Sequence, residues 1–99
     1  CKPYIVKKIF FKLGNLYPTK EKGLKSQDLY LDILNNDKDY VAIKNYSKTL
    51  IVKSKDKKRS AELTKVYEQA YFLQIQGLEK ANNYASAFTE YEKFTKENP

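Results

Sequence analysis

The stretch NNYASAFTEYEKFTKENP, residues 82–99, is the part of the chain from which the fold is most directly predicted. After the turn-favouring pair Asn82 and Asn83, apolar side chains recur at the spacing of one helix face. That face consists of Tyr84, Ala87, Phe88, Tyr91 and Phe94. The spacing predicts an α-helix that ends before Pro99 and buries this face inward.

Three further helices are predicted upstream, separated by a turn at residues 35–39 and by the charged run KSKDKKR at residues 53–59. The first is expected to have Ser26 as its N-cap, and the third to begin near Ser60. Their apolar faces are Leu29, Ile33 and Leu34; then Ala42, Ile43, Tyr46 and Leu50; then Leu63, Val66, Tyr67, Ala70, Tyr71, Ile75 and Leu78. Gly77 inside the third helix predicts a close helix crossing. The expected fold class is therefore all-α, with about four helices in antiparallel pairs.

Residues 1–25 differ in composition from the rest of the chain. They hold seven lysines and one glutamate, a formal charge of +6, whereas residues 26–99 hold twelve basic and eleven acidic groups, a charge of +1. A short apolar stretch at their start predicts a helix of two or three turns, which Pro18 and Gly23 then break. We therefore divide the chain into a basic N-terminal segment with a tether, residues 1–25, and a helical domain, residues 26–99.

The composition argues against most catalytic chemistry. The chain has no His, and its single Cys is residue 1, so neither a Ser-His-Asp or Cys-His arrangement nor a Cys/His zinc site is possible. No glycine-rich phosphate loop accompanies the carboxylates, and no apolar run reaches the length of about 18 residues that crosses a membrane. We expect no enzymatic activity, no cofactor, no metal and no small-molecule substrate.

Nucleic-acid binding is the weakest functional interpretation of the basic charge. The run at residues 53–59 is typical of a solvated loop, and the excess of lysine lies in the N-terminal segment instead of on the folded domain. A basic helical nucleic-acid-binding protein stays open as an alternative, which strongly salt-dependent binding would support. We nevertheless expect no nucleic-acid partner.

The stretch at residues 82–99 is also similar to the second helix of a tetratricopeptide repeat. Ala87 stands where such repeats have a small residue, Tyr91 where they have an aromatic one, and Pro99 in the closing position. The preceding helix matches less well, and the anchoring alanines Ala42 and Ala87 are 45 residues apart, more than the usual repeat of about 34. The alternative is any pair of helical hairpins with an alanine in its core.

The chain resembles the BamD (YfiO/ComL) family of outer-membrane assembly lipoproteins in four features. These are a first Cys, a basic segment, tetratricopeptide-like helix pairs and the closing run YEKFTKENP, residues 91–99. The resemblance implies an accessory scaffold lipoprotein of outer-membrane β-barrel assembly, on the periplasmic side of the outer membrane, with a BamA-type partner. Family members of usual length have about five repeats, and later repeats make much of the BamA contact, so that contact cannot be transferred. The alternative is a tetratricopeptide adaptor for another cell-envelope complex, unrelated to barrel assembly.

The resemblance also implies roles for residues of the N-terminal segment. Cys1 would carry the lipid anchor, unless it is only an arbitrary start of the chain. The lysines that would lie on an anionic leaflet are Lys2, Lys7, Lys8 and Lys12. The alternative is that apolar residues of this segment cover the helical domain, while the lysines are simply solvated.

A partner-binding surface is expected on the first helices of the repeats, since these line the concave side of such arrays. The repeat register places five residues there: Gln69, Phe72, Gln76, Glu79 and Lys80. Phe72 lies off the apolar stripe of its helix, which suits a binding anchor. The alternative is that Phe72 and Leu73 pack against the N-terminal segment.

Overall fold

The protein is an all-helical chain in the computed structural model, which describes the backbone of residues 3–97 and the side chains of residues 5–97. Within that range it forms five α-helices and no strand: α1 Pro3–Leu16, α2 Glu21–Asn36, α3 Tyr40–Lys53, α4 Lys57–Lys80 and α5 Tyr84–Glu97. The all-α prediction is confirmed, but the number of helices is five instead of four. The additional helix is α1 in the N-terminal segment, where the sequence predicts a helix of two or three turns that is not counted among the four; it is longer than that, with 14 residues.

The tether prediction is wrong because α2 begins at Glu21, five residues before the expected N-cap. Pro18 lies in the short turn between α1 and α2, and Gly23 is inside α2. Gly23 allows a close approach there, since an added Cβ would stand 1.6 Å from the carbonyl oxygen of Tyr17. Ser26 is buried in α2, where its hydroxyl donates to the Lys22 carbonyl at 3.0 Å. The boundary drawn between residues 25 and 26 therefore falls inside a helix.

Short turns bring each helix against the next. α1 packs on α2, α3 on α4, and α5 on the second half of α4. The turn before α3 uses Lys38 at a φ of 57°, and the turn before α5 uses Asn82 at a φ of 61°. Asp39 then caps α3 by accepting from the Ala42 amide at 3.2 Å. Such short connections make neighbouring helices antiparallel, as the sequence predicts.

The buried side chains form two clusters that meet along α4. The larger cluster joins α2, α3 and the first half of α4, with Leu34, Leu50 and Leu63 almost fully buried. The smaller cluster joins α4 and α5 through Tyr71, Ile75 and Ala87. The molecule is correspondingly flat, with extents of 40 × 35 × 14 Å. The helix pairs agree with an array of hairpins, whereas the tetratricopeptide-like repeat stays a prediction.

Two predictions about packing are wrong. Ala87 is buried and Phe94 is half-buried against α4, but the other residues of the expected inward face of α5 are exposed: Tyr84 by 62%, Phe88 by 65% and Tyr91 by 51%. These three side chains lie outside the narrow strip of α5 that contacts α4. Gly77 does not mark a helix crossing, because no heavy atom lies within 4 Å of the position of an added Cβ.

Candidate partner-binding groove

A groove runs between α2 and α4, and α3 contributes to its floor. It holds a cavity of about 180 Å³. Its floor is apolar and buried, formed by Leu31, Ile43 and Ala70, and its rim is polar and exposed, formed by Asp32, Asn35 and Gln69. Because an apolar floor with a polar rim accepts an apolar side chain and pairs with the groups around it, the groove can bind a segment of another chain. We call it the α2–α4 groove.

The five residues predicted to bind a partner lie together on one side of α4. Gln69, Phe72, Gln76, Glu79 and Lys80 are all exposed, and their helical spacing places them on the solvent-facing side of the helix. Gln69 belongs both to this surface and to the rim of the α2–α4 groove. We call the five residues the α4 outer face. The groove and the face therefore form one continuous surface.

Phe72 is the largest apolar side chain on the α4 outer face. It is 49% exposed, and its ring centroid lies 4.8 Å from that of Phe94 on α5. Leu73 lines the α2–α4 groove. The alternative in which both residues pack against the N-terminal segment is therefore wrong. Phe72 is held in place on one side by Phe94 and presents its other side to solvent, as expected of a rigid aromatic anchor.

The predicted membrane-contact residues have different surroundings. Cys1 and Lys2 lie outside the described residues. Lys7 is half-buried, with its Nζ 3.9 Å from a carboxylate oxygen of Asp37, whereas Lys8 and Lys12 are exposed. Among residues 3–97 no helix has the length and hydropathy to cross a membrane.

A polar cluster on the opposite side of α4 fastens α5 to α3. The Tyr67 hydroxyl donates to Glu97 at 2.6 Å, and Lys44 lies 3.8 Å from Glu90 and 4.3 Å from the centroid of the Tyr71 ring. Burial raises the pKa of Tyr67, and the hydrogen bond to Glu97 raises it further. The pKa of Tyr71 is raised by burial first and then by the two nearby carboxylates. Both phenols therefore stay protonated at physiological pH. The cluster links α5 to α3 and α4.

The part of the chain that the structure describes holds no group of three or more Cys, Asp or Glu side chains placed to ligate a metal ion. What the α2–α4 groove offers instead is binding chemistry: amide groups for a peptide backbone, one carboxylate for a cation, and an apolar floor.

Sequence reasoning missed the groove residues on α2, Asp32 and Asn35. Asp32 lies between apolar neighbours in the helical pattern, which marks it as exposed but not as facing α4. Predicting this would require the relative orientation of α2 and α4, which are not consecutive helices. Spacing within α4 was enough to group Gln69, Phe72 and Gln76, because all three belong to one helix.

Comparisons with protein-family models, with curated protein sequences and with solved structures find no match for this chain. The resemblance to BamD-type lipoproteins consequently stays a prediction from the residues quoted for it.

Proposed function

We propose that this protein is a helical scaffold that binds a partner protein through the α4 outer face and the adjoining α2–α4 groove. The observation that carries the proposal is Phe72, an anchored and half-exposed aromatic ring beside an apolar groove with a polar rim. Interfaces concentrate their binding energy in such aromatic side chains, surrounded by polar groups that exclude water. Binding, and not catalysis, is the activity proposed.

The groove indicates what kind of segment binds there. A small apolar side chain would enter between Ile43 and Ala70, while the amides of Asn35 and Gln69 would pair with the backbone of the segment. Asp32 on the rim favours a basic residue next to that side chain. The preferred ligand is therefore an extended or turn segment with an apolar residue beside a lysine or arginine.

More specifically, we propose an accessory role in the assembly of outer-membrane β-barrel proteins, with a BamA-type protein as partner and Cys1 as lipid anchor. This proposal rests on the resemblance in sequence, and its support is the order of features: Cys1, basic segment, helix pairs and the run at residues 91–99. An adaptor for another cell-envelope complex is the alternative, and it uses the same binding surface.

Crosslinking in a cell envelope, followed by purification of the tagged full-length chain, tests both levels of the proposal. We expect a BamA-type protein among the crosslinked partners, and a mass shift on the N-terminal peptide from lipidation of Cys1. Capture of a different envelope protein without lipidation would favour the adaptor instead.

Phe72→Ala tests the surface, and Phe88→Ala is its matched control because Phe88 is exposed on α5 outside the α4 outer face. We expect Phe72→Ala to weaken binding of the captured partner about tenfold or more, since loss of an anchoring aromatic costs roughly 2 kcal/mol. Titration of the purified partner measures the dissociation constants. If Phe88→Ala weakens binding and Phe72→Ala does not, the α4 outer face is not the binding surface.

A further inference from the structure

The outward side of α1 combines aliphatic and cationic side chains. Ile5 and Ile9 are each 50% exposed, Leu16 is 59% exposed, and Lys8 and Lys12 are exposed beside them. At 3.6 residues per turn these five positions fall within an arc of about 100°. We call them the α1 outer face.

None of these side chains is used to dock α1 on the rest of the protein. The half-buried residues of α1 are on the other side of the helix, and Gly14 is buried there against Gln27 of α2. Phe11 is not part of the outer face, since its ring packs on Tyr30 and Tyr46 at centroid distances of 5.1 and 5.7 Å. The α1 outer face points away from α2 and therefore away from the α2–α4 groove.

The charge of this region has one sign. Residues 3–20 contain four lysines and no acidic residue. Lys7 has a partner in Asp37 at 3.9 Å, on the flank that faces the domain, while Lys8 and Lys12 are on the solvent-facing flank with the aliphatic residues. A surface that binds here must therefore be anionic and must also accept apolar side chains.

We propose that the α1 outer face lies flat on the surface of an anionic phospholipid bilayer. Ile5, Ile9 and Leu16 enter the boundary between headgroups and acyl chains, and Lys8 and Lys12 reach lipid phosphates while their stems stay in apolar surroundings. A nucleic acid would leave the three aliphatic side chains in water. A protein interface would have to desolvate each lysine that stands beside them, whereas a bilayer surface does not.

This inference does not rest on the proposed function, and it needs neither lipidation of Cys1 nor a partner in the groove. It also changes the set of membrane-contact residues from the one that the sequence predicts. Lys7 is excluded by its ion pair, and three aliphatic residues are included.

Sedimentation with vesicles tests the charge requirement. The full chain with Cys1→Ser, which removes any lipid, is mixed with vesicles of phosphatidylcholine containing roughly 30% phosphatidylglycerol, or with phosphatidylcholine alone. We expect at least tenfold stronger partitioning to the anionic vesicles, and weaker partitioning as salt is added. Lys8→Gln with Lys12→Gln should reduce partitioning about thirtyfold. Lys55→Gln with Lys58→Gln, the same change of charge on exposed residues outside α1, should leave it nearly unchanged.

Fluorescence tests the insertion of the aliphatic residues. The chain has no Trp, so Ile9→Trp introduces a single reporter on the α1 outer face, and Val52→Trp introduces one at the end of α3, where Val52 is 80% exposed. We expect a blue shift of emission with anionic vesicles for Ile9→Trp and none for Val52→Trp. Circular dichroism verifies that each variant is folded.

Equal partitioning to both vesicle types, or no blue shift from Ile9→Trp, would overturn the proposal. Binding to DNA or to an acidic protein with the same lysine dependence, but without vesicle binding, would also overturn it. These outcomes are independent of the proposed scaffold function, which is tested by Phe72→Ala and a protein partner.

Discussion

Gly23 and Gly77 both lie inside helices, but substitution by alanine should change the stability of the protein in opposite directions at the two positions. At Gly23 an added Cβ would collide with the backbone of Tyr17, at 1.6 Å from its carbonyl oxygen, whereas at Gly77 it would meet open space. We expect Gly23→Ala to lower the free energy of unfolding by about 3 kcal/mol, because a backbone carbonyl cannot move aside like a flexible side chain. Gly77→Ala should raise it by about 1 kcal/mol, because alanine restricts the unfolded chain.

Urea denaturation followed by helical circular dichroism measures both changes. Each variant is the control for the other, since the two substitutions are chemically identical and both lie inside helices. Equal effects at the two positions would show that the turn at Tyr17 does not approach Gly23 of α2 as the structure has it.

The sequence could not distinguish these two glycines. The sequence around Pro18 predicts that Gly23 breaks a helix, and the long amphipathic pattern around Gly77 predicts a helix crossing there. The structure reverses both interpretations, because what decides each case is the distance to a neighbouring helix or turn. That distance is a tertiary property, and local propensity does not contain it.

At the scale of helices, Gln27 joins α1, α2 and α4. It is 2% exposed, and its side-chain amide donates to the carbonyl of Gly14 at 3.2 Å and to that of Pro18 at 3.4 Å. Its side-chain oxygen accepts from Arg59 at 3.0 Å, and Arg59 is also 2.8 Å from Asp28. A single buried side chain thus satisfies the end of one helix and orients the cation of another.

We expect Gln27→Ala to lower the free energy of unfolding by about 3 kcal/mol, since it leaves a cavity and removes three hydrogen bonds, one buried and two partly buried. Hydrogen exchange should show the loss first in α1, whose carboxyl end depends on Gln27. Gln76→Ala, at an exposed glutamine of α4, is the matched control and should change stability little. Unchanged protection of α1 in Gln27→Ala would mean that α1 is held by its apolar contacts alone.

Helices were easier to predict than their packing. Spacing identified α3, α4 and α5 and the apolar stripes of α3 and α4, because these properties depend on residues within one helix. The same spacing failed for α5, where Tyr84, Phe88 and Tyr91 belong to the apolar pattern and yet are exposed. The pattern reports which residues are apolar, whereas the width of the buried face depends on how many helices stand beside it.

At the scale of the whole molecule, a flat array leaves few side chains deeply buried, and tyrosine accounts for a large share of them. Tyr46, Tyr67 and Tyr71 are all less than 9% exposed.

The candidate binding surface is only partly predictable from the sequence. The α4 outer face belongs to one helix and could be predicted, whereas the α2–α4 groove depends on the arrangement of three helices. Only the arrangement could place Asp32 opposite Gln69.

The buried tyrosines make the whole fold sensitive to alkaline pH. Burial raises the pKa of Tyr46 to about 12, with further contributions from neighbouring groups, and burial also raises the pKa values of Tyr30, Tyr67 and Tyr71. In the unfolded chain a tyrosine titrates near pH 10. Below pH 10 both states keep the proton and stability is unaffected. Above pH 10 the unfolded state loses protons that the folded state retains, so the free energy of unfolding must fall.

Tyr46→Phe isolates one share of this pH dependence. Among the described residues the Tyr46 hydroxyl has no hydrogen-bond partner, so its removal breaks no hydrogen bond and should not lower stability at pH 8. Between pH 10 and 12 the wild-type protein should lose about 1.4 kcal/mol per pH unit more than the variant, because that is the contribution of one tyrosine. Urea denaturation at several pH values measures both slopes. If the two proteins lose stability in parallel, Tyr46 ionises in the folded state, and the contacts of its ring with Tyr30 and Phe11 do not exclude water from it.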